Sequence, residues 1–192
     1  MRKAGLALMA YFFFDFRDSR KRHRRGLLSS LLCQLSAKSN ACSETLSDLY
    51  LDHDEGGQQP SEDALFDCLT KMLRVPGQPA VYLIVDALNE CPNVSGIPTA
   101  REKVLQLLED LVSLDLPNLH ICVSSRPESD IRTSLDLVPA PFRVFLDDES
   151  GQKADISTFI TSFVDSDRKI RKWPAEYKQL IIDTLEEKAD GM

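Results

Sequence analysis

Asp86 and Glu90 lie four residues apart at the end of the apolar run Val81-Tyr82-Leu83-Ile84-Val85. Such a run closed by an acid predicts a strand buried on both faces of a parallel sheet, with Asp86 emerging at its carboxyl end. Ligands of open α/β sheets bind at that edge. A carboxylate there can hold Mg²⁺ beside a nucleotide, because hard cations prefer oxygen ligands. The alternative is a plain strand followed by a solvated acidic turn. A second run, Leu119-His120-Ile121-Cys122-Val123, ends in Ser124, Ser125 and Arg126. The planar fork of an arginine at that position suits phosphate oxygens and can report a γ-phosphate. Its alternative is a surface arginine before a turn-forming proline. Against both functional readings stands the absence of any G-x-x-x-x-G-K-S/T loop to hold phosphates.

These residues need a sheet to position them, and the rest of the chain predicts one. Leu8 to Phe16 reads as an aromatic-rich strand, and Gly26 to Ala37 as a helix with Leu28, Leu31, Leu32 and Leu35 on one face. Residues 38–60 read as polar, with Gly56 to Pro60 as a loop. Ser61 predicts the cap of a helix that buries Leu65, Cys68, Leu69 and Met72. Thr99 and Glu102 form a capping box for a helix marked by Val104, Leu107, Leu108 and Leu111. Phe142 to Leu146 reads as a fourth strand. Ile156, Phe159, Ile160 and Phe163 mark a helix, and a last one opens at Pro174, with Tyr177, Leu180, Ile181 and Leu185 inward and Gly191 as its stop. Strands alternating with helices predict an α/β fold, a parallel sheet with helices on both faces.

Bulk properties narrow the function. The 192 residues are 43% hydrophobic, enough for one core, and the net charge of -7 argues against general nucleic-acid binding. The basic run Arg17 to Arg25 therefore reads as a solvated strand-to-helix loop. Met1 to Phe14 imitates a signal peptide, but no small-residue cleavage site follows, and a strand is the expectation. No segment has transmembrane length. Five cysteines, an odd number, read as reduced thiols of a cytoplasmic protein, with Cys91 passive. His23, His53 and His120 show no metal-ligand spacing.

The strings YFFFDFRD (11–18), RGLLSSLLCQL (25–35), VYLIVDALNEC (81–91), LPNLHICVSSRPE (116–128) and LIIDTLEEKADGM (180–192) closely resemble the NACHT-type NTPase modules of fungal NOD-like receptors, and the related nephrocystin-like N-terminal domain. The resemblance spans nearly the whole chain. It implies a three-layer P-loop NTPase fold over residues 1–150, incomplete for want of its first strand and phosphate-binding Walker A loop, followed by the start of a helical region over 151–192. It also implies a STAND-class switch driven by ATP or GTP with Mg²⁺. Asp86, at the end of the Walker B strand, would be the Mg²⁺ ligand, and Glu90 would orient water. Arg126 would be the sensor arginine, with Ser125 beside it in the nucleotide site. Partners implied are the nucleotide, further copies of the chain and related NACHT proteins, with no membrane and no nucleic acid.

Two departures bear on this reading. Asn89 stands where the family usually carries Asp, keeping an oxygen but losing the charge. The first strand and its Walker A loop are expected before YFFFDFRD, and both chain ends are expected to be cut. Nucleotide affinity is accordingly expected to be poor, with a degenerate protein-interaction module, or a product with no stable fold, as the alternative.

Overall fold

The helix over Arg24–Ser36 (α1) turns Leu27, Leu28, Leu31, Leu32 and Leu35 inward, and all five are buried. It follows the first strand, Ala7–Phe13 (β1), and packs on it. These features belong to a computed structural model that describes residues 7–94, 96–136 and 149–189. The chain divides into two compact units, Met1–Pro141 and Phe142–Met192.

In the first unit, α1 is followed by helices Asn40–Asp52 (α2) and Glu62–Leu73 (α3), strand Ala80–Asp86 (β2), helix Ala100–Ser113 (α4), strand Leu119–Val123 (β3) and helix Ser129–Asp136 (α5). The strands form a parallel sheet in the order β1-β2-β3, with Leu8 opposite Val81 and Leu83 opposite Ile121. Predicted caps appear as hydrogen bonds. The Ser61 side chain accepts from Ala64 N at 3.1 Å. The Thr99 hydroxyl accepts from Glu102 N at 3.2 Å, while the Glu102 carboxylate accepts from Thr99 N at 2.6 Å. α2 was hidden in the segment read as polar. Its inward face is only Cys42, Leu46 and Leu49, and Ser39 caps it. Its serines and aspartates are weak helix formers, so its stability comes from packing on α1 and α3.

The expected burial on both sheet faces is corrected. Val81, Leu83 and Val85 are at most 1% exposed, as are none of their outward neighbours, for Tyr82 is 37% exposed. Met9, Tyr11 and Phe13 are exposed on the same side of β1, and His120 and Cys122 on β3. The reason is topological. Right-handed crossovers place helices on both faces only when the strand order reverses. Here spatial order follows chain order, so the connecting helices gather on one face. Tyr82 and His120 stack across the other at 4.7 Å, and Tyr11 lies 5.5 Å from Phe13. The outer edge of β1 is blunted by side chains. The Gln34 carboxamide donates to Tyr11 O at 2.6 Å and accepts from Tyr11 N at 3.2 Å, and Lys38 donates to the Met9 carbonyl.

The second unit holds helices Glu149–Ser166 (α6) and Ala175–Ala189 (α7), which pack on each other. Ile160 and Val164 are buried, but Phe159, Phe163, Tyr177, Leu180 and Leu185 are exposed. The helix marked by Ile156 to Phe163 is α6, whereas the expected inward stripe of α7 is corrected, since a pair of helices buries one narrow seam and Tyr177, Leu180 and Leu185 are exposed. The fourth strand read at 142–146 and the stop at Gly191 lie outside the described residues. Among the described residues no helix is long and apolar enough to cross a membrane.

All five cysteines are free; Cys42, Cys68 and Cys91 are buried, while Cys33 and Cys122 are exposed. Burial pushes the Cys91 thiol up to about 12 and Cys68 up to about 11, and raises Cys42 as well. A thiolate-selective reagent near neutral pH is therefore expected to label Cys33 and Cys122 rapidly, and the buried three only on unfolding. Mass spectrometry of labelled native protein checks this; fast modification of Cys91 would contradict the packing.

Candidate functional site

Three parallel strands deliver three loops to one edge. After β2 the chain turns at Ala87, whose φ of +55° is left-handed for a residue with a Cβ. That conformation costs about 1 kcal/mol, and it is held because Ala87 N donates to Ser124 Oγ at 3.2 Å. Leu88 N donates to Ser124 O at 3.0 Å, and Ser124 N to Val85 O at 2.9 Å. Strain compensated by surrounding bonds in this way is concentrated at functional sites. The Ser124 hydroxyl donates to Asp86 Oδ1 in a short hydrogen bond, so β2 and β3 present a carboxylate and a hydroxyl together.

The short turn Leu88–Glu90 then carries two polar side chains of the β2 loop, Asn89 and Glu90. Asn89 Oδ1 accepts from Arg126 N at 3.1 Å. Glu90 Oε2 accepts from Phe16 N at 3.2 Å, which fixes the loop after β1 to the same edge. That loop holds the start of the basic run, which continues into α1 rather than ending as a solvated loop: Arg17 pairs with Asp15 at 2.9 Å in the loop, and Arg24, in the first turn of α1, with Asp63 at 3.3 Å. The hydrogen bonds from Arg17 hold the Asp15 carboxyl below its usual range. His23 caps α1, its Nδ1 accepting from Gly26 N at 3.1 Å.

The structure thus brings Asp86, Glu90 and Arg126 to neighbouring loops at one edge. The Arg126 guanidinium is exposed. Ser125 turns aside, its hydroxyl donating to Arg126 O at 2.9 Å. The serine that meets Asp86 is Ser124, which sequence reasoning passed over because two adjacent serines at a strand end cannot be told apart without knowing the pleat. Asp86 and Ser124 offer the hard oxygen donors that Mg²⁺ takes. Mg²⁺ commonly uses one or two protein carboxylates and completes its shell with water and phosphate oxygens. Among the described residues no group of three or more His, Cys, Asp or Glu is placed to hold a metal by itself. These residues fit the metal end of a Mg²⁺–nucleotide site; its phosphate end has no counterpart loop in the sequence.

The family model described as "Nephrocystin 3, N-terminal" matches residues 1–126, from the amino terminus through Arg126. The chain belongs to the nephrocystin 3 N-terminal family. It is also 27% identical over 190 residues to the vegetative incompatibility protein HET-E-1 of Podospora anserina, an alignment covering 96% of this chain. The chain spans only 13% of that relative's length. No solved structure matches it. Together the family and the fungal relative support the NACHT-type module that the motifs resemble. Within this family member, Asn89 keeps the one function an oxygen can serve here: a backbone N–H can only donate, and Asn89 Oδ1 receives it.

Proposed function

We propose that this chain is a P-loop-NTPase-like signalling module, related to NOD-like receptors, in which Mg²⁺–nucleotide at the carboxyl edge of the sheet biases the position of the β2 and β3 loops. The observation that carries this is the Asp86–Ser124 pair flanked by Glu90 and Arg126, on adjacent strands of a member of this family. Asp86 and Ser124 would hold the metal, which when bound neutralises phosphate charge. Glu90 would order a water molecule. The exposed Arg126 guanidinium supplies a bidentate donor for phosphate oxygens. The Asn89 side-chain oxygen, accepting from Arg126 N, and the backbone bonds of Ser124 keep these groups in register. With no phosphate loop in its sequence, the chain alone binds nucleotide weakly.

A ligand that binds only the folded state raises its stability with concentration. For this chain, 1 mM Mg-ATP or Mg-GTP is expected to add no more than about 0.5 kcal/mol, which corresponds to a Kd near or above 1 mM. Raising the nucleotide tenfold should give a small, Mg²⁺-dependent shift that Asp86→Ala abolishes. Thermal melts over a nucleotide series check this. A large shift at micromolar nucleotide would refute weak binding. No shift at any concentration would refute the nucleotide reading and leave a protein-interaction module.

A further inference from the structure

Arg101 is the only charged residue among those described that is buried, at 5% exposure, and the sequence reading did not single it out. Its place is unfavourable on two counts. It lies in the first turn of α4, where the helix dipole disfavours a cation, and burial removes its hydration. What offsets this is a set of acceptors drawn from the loop after β2 and from the segment after β3, where the loop runs into the first turn of α5. Nε donates to Cys91 O at 2.9 Å and Nη2 to Asn89 O at 2.7 Å, both in the loop after β2. Nη1 donates to the Glu128 carboxylate in a short bond and to Asp130 Oδ2 at 3.1 Å, both in the segment after β3. Burial opposes the charge, but the bonds from Glu128 and Asp130 outweigh it and hold the guanidinium firmly protonated.

The geometry reaches the site in one further step. Asn89, whose carbonyl Arg101 holds, gives its side-chain oxygen to the backbone N–H of Arg126. Asp130, which Arg101 also holds, accepts from Asn93 Nδ2 at 2.9 Å. Asn93 in turn accepts from the Thr99 hydroxyl at 3.0 Å, closing the network on the α4 cap. We infer that Arg101 is a positioning residue, a buried clamp that makes the β2 loop, the Arg126 loop and the start of α4 move as one body. Its use in a switch rests on the nucleotide reading above: a phosphate held at Arg126 would reach α4 through this clamp. Lysine cannot replace it, because one ammonium lacks the fork needed to span four acceptors on two segments.

The test is residue-resolved amide hydrogen exchange on the full chain without nucleotide, comparing wild type with Arg101→Lys, with Glu128→Gln and with Glu128→Gln/Asp130→Asn. The reporters in the β2 loop are the amides of Glu90 and Cys91, bonded to Ala87 O and Leu88 O. In each variant they should exchange about tenfold faster or more, together with Arg126, while Leu83 and Val85 in the sheet stay at wild-type rates. The carboxylates lie on the β3 side and are read on the β2 side; because Asp130 also bonds Asn93 directly, Glu128→Gln alone, which touches only the Arg101 contact, is the decisive member of the pair. Acceleration confined to residues 126–130 would overturn the clamp. So would a parallel rise across the sheet amides, which reports loss of stability alone, and so would wild-type exchange in Arg101→Lys. If the carboxylate variants do not fold, Arg101→Lys decides by the same reporters. Mg-ATP melts separate the two proposals: absence of any shift in wild type sinks the nucleotide reading and leaves the exchange result standing.

Discussion

Leu83→Ala is expected to remove about 2–5 kcal/mol of stability, the range for truncating a fully buried leucine. Leu83 is 1% exposed in the middle strand, paired to Ala10 on one side and Ile121 on the other. Its side chain enters the single cluster that joins β1, α1, α3, β2 and α4. Middle strands have no room to relax, because hydrogen bonds on both sides fix the backbone, so the cavity stays open. A domain of this size typically has a total stability of about 5–15 kcal/mol, so much of the native population is at stake. Chemical denaturation of the two proteins measures the difference. A loss below about 1 kcal/mol would mean that the inner face of β2 is not the centre of the core. Tyr82→Ala, one residue away on the open face, should cost much less.

Gly26→Ala is expected to damage the site from a distance. A Cβ built at Gly26 would lie 2.0 Å from the carbonyl oxygen of Arg20, a backbone atom that cannot rotate away. Either the turn at residues 19–21 moves, or the first turn of α1 unwinds and loses its His23 cap. Overpacking of this kind costs about 1–3 kcal/mol. The loop that must shift is the one whose Phe16 N–H is held by Glu90, so the Phe16 amide should lose its protection as stability falls. Amide exchange together with a thermal melt checks both parts. Unchanged stability would mean that the approach of Arg20 to α1 is looser than described. The glycine is needed here for space; the positive-φ requirement that explains many turn glycines applies instead at Gly77, where φ is +72° and a Cβ would meet nothing.

The sequence made most of the first unit legible, and for identifiable reasons. Leucine spacing fixed α1 and the stripe of α3, and short-range capping chemistry fixed the start of α3 and of α4; both act within a turn of helix. Apolar runs closed by Asp86 and by Ser124-Ser125-Arg126 located two strands and the edge where their loops meet. α2 escaped because three inward apolar residues among serines and acids carry little periodic signal, and its formation depends on neighbours distant in sequence. The stripe of α7 was overread for the opposite reason: periodicity marks an apolar face without saying whether anything covers it.

By itself, then, the sequence determined the three strands of the sheet and the helices α1, α3, α4, α6 and α7, which acid and which arginine reach the strand ends, and the family to which those motifs belong, because each depends on local spacing and residue type. Only the tertiary structure decided the rest. Strand order left one sheet face open, since crossovers of one hand without a reversal gather their helices on one side. The pleat selected Ser124 over Ser125 as the partner of Asp86. And the approach of α4 to two segments that follow different strands turned Arg101, an ordinary charge in a helix's first turn, into the buried centre of the network around the site.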